Sequence, residues 1–62
     1  MPYVNVKIAG SLSGVQKQKL AEKISTALEE IADKPKRYTY IVFEEIDREN
    51  WAIGDCLLSS SE

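Results

Sequence analysis

The chain has 62 residues, 44% of them hydrophobic, and a formal net charge of −2. We expect a single domain over residues 1–62, because a chain this short buries only about 60% of its unfolded surface and has no room for two cores. There is no histidine and only one cysteine, Cys56, which excludes a Cys/His zinc site, a histidine-based triad and an intrachain disulfide. Partner subunits are another usual support for so small a domain, so we expect a homo-oligomer.

The charge balance and hydropathy limit which kinds of partner we expect this protein to bind. Eight basic residues against ten acidic ones lack the basic excess of a nucleic-acid-binding protein. No stretch is long and apolar enough for a signal peptide or a membrane span, so we expect no membrane association and a cytoplasmic location. The lone Cys56 fits a reducing compartment, and we expect it to be a small packed hydrophobe.

The first predicted element is a strand over residues 2–9, where apolar and polar residues alternate. A helix follows from about residue 13 to 32, beginning with Ser13 and Gln16 at the spacing of a capping box. Apolar residues recur along it at helical spacing and form one stripe: Leu20, Ala21, Ile24, Ala27, Leu28 and Ile31. Pro35 limits the helix, because the residue before a proline avoids the helical region.

A second strand is predicted over residues 38–43, and its apolar run suggests burial on both faces, as in a parallel pair or at a subunit interface. Strand, helix and strand with short connections form a right-handed βαβ unit. Parallel pairing would place Pro2 near Tyr38–Tyr40, at the start of the second strand. We expect residues 51–58 to form a short hairpin or strand that packs on another subunit, and residues 59–62 to be a frayed tail.

Pro2 is the candidate catalytic residue. Methionine is normally removed before a small residue, which would leave a free prolyl amine. Such an amine has a reference pKa of about 7.7–8.0, and apolar surroundings lower that pKa by disfavouring the charged form. A base near neutral pH suits general acid–base catalysis. The alternative is an ordinary strand-initiating proline, and retention of Met1 would turn the nitrogen into an amide.

Four carboxylates follow or end the second strand: Glu44, Glu45, Asp47 and Glu49. Paired carboxylates can act as acid and base or hold a metal. These alternate between strand faces or lie in a turn, so we interpret them as a solvated strand end and expect no metal site.

Several motifs occur in register along nearly the whole chain: Met1-Pro2, Gln16-Lys17, Asp33-x-Pro35, Glu44-Glu45 and Trp51-Ala52-Ile53-Gly54. In this order and spacing they resemble the 4-oxalocrotonate tautomerase family. The resemblance implies an α/β (α+β) fold, with a β-α-β protomer and a short C-terminal hairpin. It also implies an oligomer: a dimer at least, and most often a homohexamer built as a trimer of dimers.

The resemblance further implies a cofactor-independent isomerase. Pro2 would be the general acid and base for keto–enol proton transfer in small 2-hydroxy-dienoate or aryl-enolpyruvate acids. Trp51 and Ile53 would form apolar pocket walls, and a backbone N–H near Ala9 would bind a substrate oxygen.

Two arginines of the best-known family members are replaced here by Leu12 and Tyr40. Those arginines hold the substrate carboxylate and the developing enolate, and each such contact is worth roughly 1.5–3 kcal/mol. The Tyr40 hydroxyl can still donate one hydrogen bond, and Arg37 is the nearest cation in sequence. Lys36, Lys7 and Arg48 are other candidates. An aromatic enol acid such as phenylenolpyruvate would suit Trp51 and Tyr40 better than a dicarboxylate.

Three hypotheses remain open from the sequence. The first is the tautomerase. The second is a hydratase, dehalogenase or decarboxylase, for which Glu45 and Arg37 are the only candidate helpers of Pro2. The third is a tautomerase-like oligomer that binds a ligand or only assembles, which the missing arginines favour.

Overall fold

The elements follow one another as strand, helix, strand and hairpin in the computed structural model, which describes residues 1–60. They are β1 (Tyr3–Ala9), α1 (Gly14–Ala32), β2 (Tyr40–Ile46), β3 (Ala52–Ile53) and β4 (Cys56–Leu57). Strands β1 and β2 are parallel, with Tyr3 opposite Tyr40 and Ala9 opposite Ile46. Strands β3 and β4 form the antiparallel hairpin. The predicted β-α-β protomer with a C-terminal hairpin is confirmed.

Local side-chain chemistry fixes the bounds of α1. The Ser13 hydroxyl accepts a hydrogen bond from the Gln16 N–H at 3.1 Å, and the Gln16 side chain accepts one from the Ser13 N–H at 3.0 Å. This is the capping box that the sequence predicts. At the other end Asp33 adopts the left-handed conformation (φ 60°), and its N–H bonds to the Leu28 carbonyl. The helix therefore ends at this reversal, two residues before Pro35.

Three sequence predictions need correction. The second strand begins at Tyr40 and continues to Ile46, because Lys36–Tyr38 forms a 3-10 turn before it. Leu58–Ser60 forms another 3-10 turn, so the first two residues of the predicted tail are ordered, and the last two lie outside the described residues. Cys56 is exposed in the protomer and is not packed.

The β1–β2 sheet has one covered and one uncovered face. The covered face carries half-buried apolar side chains: Val4, Val6, Ile8, Ile41 and Phe43. On the other face, Tyr40 is 57% exposed and Val42 is 42% exposed. In the protomer alone, α1 covers only one face of β2, so burial of the second face at a subunit interface stays a prediction.

The protomer is extended for its length. Its Cα radius of gyration is 14.7 Å, whereas a compact domain of 62 residues has about 11 Å. It exposes 4884 Å², against about 4,000 Å² for a folded monomer of this size. No side chain within residues 1–60 is fully buried. No helix in that range is long and apolar enough to cross a membrane.

Candidate active site

The starting edge of the parallel sheet holds Pro2. The Tyr40 N–H donates a hydrogen bond to the Pro2 carbonyl oxygen at 2.9 Å, which fixes the half-buried proline at this edge. Proline costs no ladder bond at a strand start, because its missing N–H would point past the sheet. The predicted proximity of Pro2 to the start of the second strand is thus confirmed.

Arg37 lies in the 3-10 turn directly before β2, close in sequence to this edge. Its guanidinium carbon is 4.8 Å from the centroid of the Tyr38 ring, a cation–π distance. The side chain is exposed. Pro2, Tyr40 and Arg37 therefore belong to the same end of the protomer.

The opposite edge of the sheet holds Ala9 and the loop that follows it. The Gly10 N–H donates to the Ile46 carbonyl at 2.8 Å. Gly10 has φ 101°, a conformation that an L-residue rarely adopts, and this turns the chain away from β1. The Leu12 N–H then donates to Glu45 Oε2 at 2.7 Å. Leu12, which the sequence resemblance places at an arginine position, is thereby tied to the end of β2.

Glu45 has two partners at this edge. Besides the Leu12 N–H, its carboxylate accepts a hydrogen bond from Lys17 Nζ at 3.2 Å. The Leu12 N–H and then Lys17 hold the pKa of the Glu45 carboxyl below its usual value. The neighbouring Glu44 accepts from Asn5 Nδ2 at 2.8 Å and lies 3.7 Å from Lys7 Nζ. Glu44 and Glu45 are both exposed, as expected of a solvated strand end, and both also join β2 to other elements.

The C-terminal segment starts at this far edge and carries the predicted apolar pocket residues. The Trp51 N–H donates to the Arg48 carbonyl at 3.3 Å, and the Trp51 carbonyl accepts from the Leu58 N–H at 2.9 Å. Trp51 is half-buried, whereas Ile53 in the hairpin is 73% exposed. Within the protomer, little covers the side chain of Ile53.

The structure thus divides the predicted site residues between two ends. Pro2, Tyr40 and Arg37 lie at the starting edge, and Ala9 lies at the far edge, from which the segment bearing Trp51 departs. Strands of seven residues at about 3.3 Å per residue separate the edges by roughly 20 Å. One protomer does not bring its own Pro2 and Ala9 together around a small acid.

Sequence reasoning missed an open cleft of about 650 Å³ at the far edge. Its lining residues are Gly10, Ser11, Glu45, Asp47, Arg48, Glu49 and Ser59. The Arg48 Nη1 atom lies 3.7 Å from where a side-chain Cβ at Gly10 would be. Only the strand register, with Ala9 opposite Ile46, brings these distant parts of the chain together. The available sequence signals were Gly10 next to a predicted strand end and Arg48 as a candidate cation.

The β-α-β protomer with a proline at the sheet edge is the architecture of a tautomerase-fold protein. The model of the Tautomerase family, described as tautomerase enzyme, matches residues 2–60. The chain belongs to this family, and the resemblance found in the sequence is confirmed.

Individual relatives match this chain over almost their full lengths. A protein of Bacillus cereus named probable tautomerase is 36% identical over 59 residues, which cover 95% of this chain and 97% of the relative. The 2-hydroxymuconate tautomerase of Bacillus subtilis is 31% identical over 62 residues, which cover 100% of both chains. The crystal structure of YwhB, a homologue of 4-oxalocrotonate tautomerase, superposes with a TM-score of 0.88 at 30% identity, covering 98% of this chain and 100% of that one. These likenesses confirm the predicted tautomerase-like fold.

Proposed function

We propose that this chain is a cofactor-independent tautomerase whose catalytic residue is Pro2. After removal of Met1, the neutral prolyl amine takes the proton from the hydroxyl of an enol acid. The oxygen electrons form the carbonyl, the double bond shifts, and the prolinium returns the proton to carbon. The observation that carries the proposal is the 2.9 Å hydrogen bond from the Tyr40 N–H to the Pro2 carbonyl, which holds the amine at a fixed place on the sheet edge.

A homo-oligomer completes the site in this proposal. The protomer exposes roughly 800 Å² more than expected for its size, and a standard interface removes about that area from each partner. The uncovered sheet face and the exposed hairpin are the surfaces available for this contact. A second copy then presents Trp51, Ile53 and the backbone near Ala9 to the first copy's Pro2. A dimer is the minimum, and a homohexamer is the arrangement we propose.

The substrate we propose is an aromatic enol monoacid, for which phenylenolpyruvate is the test compound. Leu12 and Tyr40 offer no bidentate grip for a carboxylate, unlike the arginines that the family resemblance leads one to expect. The exposed Tyr40 hydroxyl can donate one hydrogen bond to the developing enolate. Arg37, at the same end of the protomer, adds positive charge. Trp51 supplies an apolar wall that keeps the amine neutral.

Two other functions have unequal support. An assembled tautomerase-fold protein without this activity is favoured by the same replacements, Leu12 and Tyr40. A hydratase-type reaction would need Glu45 to activate water, but both its oxygens already accept hydrogen bonds from Leu12 and Lys17. We place the protein in the cytoplasm, where Cys56 stays reduced.

The test is ketonisation of phenylenolpyruvate and of 2-hydroxymuconate, with protein whose mass shows that Met1 is absent. Pro2→Ala should lower kcat/KM by about 100-fold or more, the usual contribution of a positioned acid–base group. Lys23→Ala, on the exposed side of α1, is the control and should match the wild type. Full activity in an assembled Pro2→Ala protein would refute the proposal.

A further inference from the structure

We propose that Arg48 binds the substrate carboxylate, and that it does so in the site whose Pro2 belongs to a second copy of the chain. This inference rests on the tautomerase function proposed above and adds the cation that the sequence left unassigned. Leu12 removes the positive charge from one family position, and Arg48 restores positive charge at the same edge of the protomer.

Arg48 lies in the cleft at the far edge of the sheet. The cleft lies where Gly10 turns the chain away from β1, and the guanidinium lies over this turn, with Nη1 3.7 Å from a Cβ built on Gly10. Ser11 and Ser59, whose side chains carry hydroxyls, line the same cleft. A planar guanidinium beside hydroxyl donors is the donor set that suits a carboxylate.

The Arg48 guanidinium is available to a ligand. Among residues 1–60 it takes part in no ion pair; the described pairs are Lys7 with Glu44 and Lys17 with Glu45. Glu45 lines the cleft too, but its oxygens are engaged by the Leu12 N–H and by Lys17. Glu45 therefore does not compete for the Arg48 guanidinium.

The remaining charges of the cleft define which acid fits. Asp47 and Glu49 also line it, so a first carboxylate is held by the Arg48 guanidinium and its paired hydrogen bonds alone, and a second carboxylate would be repelled by these two acids. A monocarboxylate that ends in an apolar ring would place its ring away from these acids. Trp51 lies close to Arg48, because its N–H donates a hydrogen bond to the Arg48 carbonyl. An aryl enol acid satisfies both features, and a dicarboxylate does not.

The Arg48 of one chain cannot reach the Pro2 of the same chain. Arg48 and the Pro2 of its own chain lie at opposite edges of the sheet, roughly 20 Å apart along the strands. A small enol acid does not span that separation. A second copy is therefore needed to bring an Arg48 to each Pro2.

The experiment uses Trp51, the only tryptophan of the chain, as a fluorescent probe. Phenylpyruvate and its methyl ester are titrated into wild type, Arg48→Ala, Arg48→Gln and the control Lys23→Ala. In wild type and control, the acid should bind about 10- to 100-fold more tightly than the ester, the worth of a charged hydrogen bond. In both Arg48 variants this preference should disappear, and KM for phenylenolpyruvate should rise by a similar factor with a smaller change in kcat.

The acid-to-ester ratio is insensitive to a general loss of stability, because both ligands meet the same protein. If Arg48→Ala does not assemble, Arg48→Gln decides by the same ratio. An unchanged preference for the acid in an assembled variant overturns the inference, whatever the wild-type activity. A preference that depends on Arg48 in a protein without turnover would instead overturn the tautomerase proposal alone. A wild type that neither binds nor turns over these compounds refutes both.

Discussion

The main-chain N–H of Tyr40 and the carbonyl oxygen of Pro2 are joined by a 2.9 Å hydrogen bond. Both groups belong to the backbone, so substitution of either side chain leaves the bond in place. The side chain of Tyr40 is consequently free to act on substrate while its backbone positions the proline. This separation makes the role of the hydroxyl measurable without disturbing the sheet.

Tyr40→Phe should lower kcat/KM for phenylenolpyruvate by about 2- to 12-fold, because it removes one neutral hydrogen bond of about 0.5–1.5 kcal/mol. Tyr38→Phe, on the turn before β2, is the matched control and should retain wild-type kinetics. Steady-state kinetics on proteins of equal assembly state provide the measurement. Equal losses in the two variants would contradict a specific role for the Tyr40 hydroxyl.

Glu45 should make the fold sensitive to acid. Because the pKa of the folded carboxyl is lowered by the Leu12 N–H and by Lys17, its stabilisation is complete above the unfolded-state value near 4.5 and is lost as pH falls through the folded value. Glu45→Gln should therefore weaken the protein at neutral pH and flatten the loss of stability below pH 4.5. Thermal unfolding between pH 3 and 7 tests this, at about one-unit steps.

The control for that experiment is Glu44→Gln, on the same strand. It leaves the contacts of Glu45 with Leu12 and Lys17 intact, so the acid loss attributed to Glu45 should persist. If Glu45→Gln loses stability at low pH as steeply as the wild type does, this carboxylate does not link stability to pH.

Val42→Lys should dissociate the oligomer. Val42 is on the uncovered face of the sheet, 42% exposed in the protomer, and a charge buried there in an interface would lack a partner. Val15→Lys is the control, since Val15 is 66% exposed on α1. Native mass spectrometry and sedimentation should show a smaller species for Val42→Lys only. An intact oligomer in that variant would place the interface elsewhere.

Asp33→Gly should stabilise the protein by up to about 1 kcal/mol, because Asp33 holds the left-handed conformation that glycine adopts without a steric penalty. Asp55→Gly is the comparison, since positive φ among the described non-glycine residues is confined to Asp33. At position 55, glycine should give no gain in stability, because it only adds conformational freedom to the unfolded chain. Denaturant unfolding measures both, and a gain of equal size at Asp55 would exclude the conformational explanation.

The features that the sequence predicts are those encoded by neighbouring residues. Ser13 and Gln16 define the helix start within four positions, and the alternation around Val4 defines a strand. The apolar run around Val42 indicates two buried faces, but it does not say whether the second face is covered by the same chain or by another copy. The contact between Gly10 and Arg48 depends on strand register, which no local pattern specifies.

The separation of Pro2 from the cleft at the opposite edge of the same sheet has a genetic consequence. If each reaction centre combines the two ends from different chains, two impaired proteins can restore one another. Subunits carrying Pro2→Ala still contribute an intact Arg48, and subunits carrying Arg48→Ala still contribute an intact prolyl amine. Mixed assemblies would then regain some wild-type centres, so that co-expressing the two variant genes yields more turnover at low substrate concentration than either gene yields alone.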